Sequence, residues 1–122
     1  GGWKVKGQGV LVANRFSIGD FIKKDGDGDF IVLFTRKADI TVATSQPVEA
    51  VLMALNDQLT GTVQVTELLS LKGAIIVDRL NPASWKSGIH TLTYDRVLRN
   101  TGRDVYQVHL SKWTTYQAIT IK

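Results

Sequence analysis

The sequence predicts an α+β protein: a small, mainly antiparallel barrel or rolled sheet of about eight strands carrying one amphipathic helix. Two observations lead there. Short runs of β-branched and aromatic residues recur between turns containing Gly, Asn or Asp. One stretch only, residues 44–59, has helical periodicity: Val48, Val51, Leu52, Leu55 and Leu59 fall at i, i+3, i+4, i+7 and i+11, one apolar stripe on a 3.6-residue helix. Thr44 and Ser45 can accept from the first-turn amides, Pro47 and Glu49 suit that end, and Gly61 stands where a C-terminal cap belongs. The opposite face, with Gln46, Glu49, Ala50, Asn56 and Asp57, is neither basic nor aromatic, so it gives no support to a membrane-surface helix.

The remaining elements follow in chain order. Trp3, Val5, Val10 and Val12 alternate on either side of Gly7 and Gly9, which predicts one strand bent at glycine or two short ones. Residues 17–24 carry too short a pattern for either period and read as irregular. In residues 24–29, KDGDGD, three alternating aspartates resemble the start of a calcium loop. Counted from Asp25, however, the sixth and twelfth positions hold Phe30 and Arg36 instead of the glycine and bidentate glutamate an EF-hand needs, so the stretch reads as a tight hairpin turn. The run FIVLFT, residues 30–35, is the candidate central strand, apolar on both faces. Ile40, Val42 and Thr44 continue as its hairpin partner into the helix.

Beyond Gly61, Val63 and Val65 alternate with polar residues as a half-buried strand, and residues 74–80 form a buried strand closed by Asn81-Pro82. Residues 89–97 carry apolar groups on both faces, and residues 100–104 make a turn. Two last strands are expected at 105–110 and 116–121. No internal repeat or linker stands out, and 122 residues predict one domain.

Composition bounds the function. An apolar share of 43% with 21% charged residues is that of an ordered globular chain, and no apolar run approaches the ~20 residues of a membrane span. Nothing near residue 1 resembles a secretory signal, and no compartment is implied. Without cysteine there is no disulfide framework, thiolate nucleophile or cysteine metal site. The net charge of +4 is unevenly spread. Residues 1–19 carry Lys4, Lys6 and Arg15 without an acid, whereas residues 20–29 hold Asp20, Asp25, Asp27 and Asp29.

Chemistry-bearing patterns are sparse. Gly7-Gln8-Gly9 lacks a third glycine and a following helix, so no phosphate loop is expected. His90 and His109 lie on expected strands, but a third ligand would have to be Asp78, Asp95 or Asp104, and no spacing favours one; no metal or cofactor is expected. No nucleophile elbow or paired carboxylate is visible. The leading expectation is therefore a non-enzymatic interaction or assembly module, a subunit of a homo-oligomer or of a larger viral or secretion-type structure that pairs with itself or another protein through a terminal strand. A second reading is single-stranded DNA or RNA binding through Lys86, Arg96, Arg99, Arg103 and Lys112 with Tyr106 and Trp113. A third is a small hydrolase or metal-dependent enzyme using His90 or His109.

Overall fold

The computed structural model describes residues 1–95 and the backbone of residues 119–121. Eleven strands and one 3-10 turn occupy them: β1 (Trp3–Val5), β2 (Gln8–Ala13), β3 (Phe16–Ile18), β4 (Ile22–Lys24), β5 (Phe30–Thr35), β6 (Ile40–Val42), β7 (Val48–Ala54), β8 (Val63–Val65), β9 (Ser70–Val77), the turn Pro82–Ser84, β10 (His90–Tyr94) and β11 (Ile119–Ile121). Every ladder between them is parallel. One face stacks β1, β4, β7, β9, β10 and β11; a second stacks β2 and β5 on the C-terminal halves of β7 and β9; a third stacks β3, β6 and β8. The chain thus winds as a β-solenoid, each coil laid on the one before.

This overturns the α+β antiparallel barrel expected from the sequence. Parallel partners need a long connection between them, and here that connection is the rest of the coil. From Trp3 to Ile22, Val48, Leu71 and Leu92 the successive partners are 19, 26, 23 and 21 residues apart. The changing step hides the repeat from any search at a fixed period. The Gly/Asp segments read as hairpin turns are corners instead, and they bond to the adjacent coil. At 25–29, for example, the Asp25 N–H donates to the Val5 carbonyl, and the Gln8 side-chain amide donates to that of Gly28.

The expected helix is β7. In a strand, Val48, Ala50, Leu52 and Ala54 share one side, and all four are buried in the interior cluster. Val51 faces the other way into a second cluster, against Met53. A strand buried on both sides is apolar almost throughout, so a helical spacing can be picked out of it, and stacking decides between the periods. The supposed cap residues have other tasks. Thr44 Oγ1 accepts from the Gln46 N–H, the Pro47 carbonyl accepts from Ile22, and Leu59 is exposed with a left-handed φ of 59°.

The interior consists of vertical columns. Ile22, Val48, Leu71 and Leu92 form one, Leu33, Leu52 and Ile75 another, and Ile18, Val42 and Val65 a third, all buried in one cluster. Val32, Val51 and Ala74 make a buried column on the outer side of the second face. The expected central strand, residues 30–35, is indeed paired on both sides, by β2 and β7. Residues 105–118 of the last two expected strands lie outside the described residues, while β11 pairs with β10.

Coil spacing also constrains side-chain size. Gly73 stacks on Ala50, and a Cβ added there would overlap the Ala50 carbonyl. Gly73→Ala should therefore destabilise the fold by about 2 kcal/mol through steric displacement of that rung, measured by urea denaturation at unchanged m-value.

Candidate interaction surface

Of the residues expected to meet nucleic acid, Lys86 alone is among the described ones. Its side chain is exposed and lies 3.4 Å from Glu67 Oε2, and its backbone N–H donates to the Val65 carbonyl, extending the third face by one rung. Arg96, Arg99, Arg103, Tyr106, Lys112 and Trp113 lie outside the described residues, as does His109.

His90 is buried inside the solenoid. Its Nδ1 accepts from the Leu69 N–H at 3.0 Å, which leaves the ring proton on Nε2, 2.7 Å from the Lys86 carbonyl. The Trp85 ring meets it edge-on at 5.3 Å, and Trp85 Nε1 donates to the Val63 carbonyl. Nδ1 thus ties the loop 85–90 to the preceding coil at Leu69, and Nε2 closes the loop on Lys86. His90→Ala would leave the Leu69 amide and the Lys86 carbonyl without these partners, and a loss of about 2–4 kcal/mol is expected in chemical denaturation.

Asp29 occupies a comparable position at a corner. Its Oδ1 accepts from Gly7, whose φ of 93° suits only glycine well, and its Oδ2 accepts from Gly26. Asp78 Oδ2 likewise accepts from Asn56 and Gly61, holding the corner 56–61 against β9. Lys24 and Asp95 form an ion pair at 2.8 Å with side chains 6% and 7% exposed, and Lys24 Nζ also donates to the Asp27 carbonyl. Lys24→Met would remove the opposite charge beside the buried Asp95 carboxylate and should lower stability by about 3–5 kcal/mol near neutral pH, seen as a reduced denaturation midpoint. Among the described residues no three His, Asp or Glu side chains converge as metal ligands, and no helix is long and apolar enough to cross a membrane.

The first coil differs from those beneath it. Trp3 heads the column of Ile22 and Val48, and Leu11 heads that of Leu33 and Leu52. The lower members are buried, yet Trp3 is 48% and Leu11 44% exposed. On the outer side Val10 and Val12, at 53% and 60%, head the columns of Val32 and Phe34. Among the described residues β2 pairs only with β5 and β1 only with β4, so each keeps one open edge. Beside them, a cavity of about 120 Å³ opens between β1, β3 and the segment joining β3 to β4, walled by Trp3, Phe16, Ile18, Phe21, Ile22 and Leu33. Alternation in residues 3–12 made these strands legible, but not that their apolar side chains stay exposed. No family model, curated protein or solved structure matches the chain.

Proposed function

We infer that the chain is a non-enzymatic interaction and assembly module, a subunit that associates with itself or another protein through the open edge of its first coil. One observation carries the reading: Trp3, Val10, Leu11 and Val12 are exposed on strands that, among the described residues, pair along one edge only. An apolar edge strand offers backbone hydrogen bonds and side-chain contacts in one place, which is what strand addition requires. The terminal strand supports the same reading, because among the described residues Ile119–Ile121 pairs with β10 along one edge only.

A lysine introduced on such an edge keeps the strand but opposes the addition of a neighbour. In sedimentation velocity at ~10 µM, the chain alone or with its partner should run as an assembly, and Val12→Lys should weaken association by about tenfold or more. A chain that stays monomeric with every partner offered, or a Val12→Lys variant that associates as before, would refute the reading.

A further inference from the structure

Lys24 and Asp95 are 71 positions apart in the chain, yet Lys24 Nζ and Asp95 Oδ2 meet at 2.8 Å with both side chains almost wholly buried. Two charges withdrawn from water cost free energy that their mutual attraction offsets only in part, and a reaction that removes both charges together removes that cost. For an amine and a carboxylate the reaction is condensation to an amide. In dilute water it is opposed, because the partners must first be brought together and water drives the reverse step. The fold lifts both obstacles. It holds the nitrogen in contact with the carboxylate, one bond from Asp95 Cγ, and placement of this kind reaches effective concentrations on the order of 10⁵–10⁸ M. The pocket bordered by Phe30, Glu49, Gly73 and Asp95 has no space for a water molecule.

A second carboxylate stands beside the pair. Glu49 borders the same pocket as Asp95, and its Oε1 accepts from the Lys24 backbone N–H at 3.0 Å, while Lys72 Nζ lies 4.0 Å from its Oε2. Lys24 Nζ also donates to the Asp27 carbonyl, which orients the nitrogen without taking its proton. Glu49 is thus placed to carry protons from the amine to a departing oxygen.

We propose that Lys24 and Asp95 join as an intramolecular isopeptide, with Glu49 as the proton carrier. Nζ attacks Asp95 Cγ; the Nζ–Cγ bond forms and one Cγ–Oδ bond breaks. Two protons of the ammonium leave with that oxygen as water, by way of Glu49, and the third stays on the amide nitrogen. Oxidant, reductant and activating group are not required. The product carries no buried charge and fastens the second coil to the end of β10, so that β5 to β10 lie within one covalent loop. Stacked coils otherwise come apart at their mutual interfaces, and a bond across several of them opposes that separation.

The mass of the denatured full chain reads the reaction directly. It should equal that of the sequence less one water, and trypsin should release residues 24–36 joined to residues 87–96, uncut after Lys24. The joined peptide distinguishes this bond from water lost at Asp25-Gly26 or Asp27-Gly28, where an aspartate can close on the next backbone nitrogen. Lys24→Arg keeps the charge pair and should show its full mass, with slower migration in denaturing electrophoresis and faster unfolding in urea. Glu49→Gln keeps an acceptor for the Lys24 N–H but not the carboxylate; with circular dichroism unchanged, it should form the joined peptide about tenfold more slowly or worse. The full sequence mass in the folded chain, or a missing water without the joined peptide, would overturn the isopeptide. An undiminished rate in Glu49→Gln would overturn the role given to Glu49.

Discussion

In-register stacking of parallel rungs is the constraint on which the rest of this structure depends. Each coil satisfies its backbone hydrogen bonds only through the coils on either side of it, and side chains at equivalent positions meet their counterparts along a column. A residue's surroundings are therefore set mainly by what lies one coil away. Leu33 is buried because Leu11 lies on one side of it in its column and Leu52 on the other, whereas Leu11, which among the described residues is stacked on one side only, is exposed. The same logic requires Gly73 where the backbones crowd.

Several polar residues serve this stacking. Asp29, Asp78 and His90 each accept from backbone N–H groups at corners or in the loop before a strand, where the ladder pattern is interrupted and amides would otherwise lack partners. Lys24 and Asp95 join the second coil to the end of β10 across 71 residues of chain. Partly or fully buried carboxylates and an imidazole look like chemistry in a sequence. Here Asp29, Asp78 and His90 bond the backbone and Asp95 meets Lys24, which places them in the architecture of the corners. Among the described residues, what stacking leaves unsatisfied is one edge each of β1 and β2 and the exposed apolar side chains Trp3, Val10, Leu11 and Val12.

Several of the strands were legible, because their cause is local, but residues 17–24, read as irregular, hold most of β3 and all of β4. Alternation in 63–65 and the β-branched run 30–35 mark β8 and β5, glycine at position 7 marks the break between β1 and β2, and Asn81-Pro82 marks the end of the β9 region. The basic bias of residues 1–19 is also plain in the chain. The helix at 44–59 was misread for an equally physical reason. With Val48, Ala50, Val51, Leu52 and Ala54 all buried, β7 faces apolar surroundings on both sides, and such a run carries no unique period.

By itself, then, the sequence determined where strands such as β2, β5 and β8 form and break, since those follow from backbone preference, β-branching and glycine within a few residues, whereas β3 and β4, read as irregular, and β7, read as a helix, needed the coils beside them. Only the tertiary structure decided that Asp25–Asp29 and Asn56–Gly61 are corners of a coil, that the ladders are parallel, and that Trp3 and Leu11 crown columns buried beneath them. Those are relations between residues 19 to 26 positions apart at an unequal step. Local preferences are nearly the same for a hairpin turn and a solenoid corner. The free energy that separates them comes from the coil on which each segment lands.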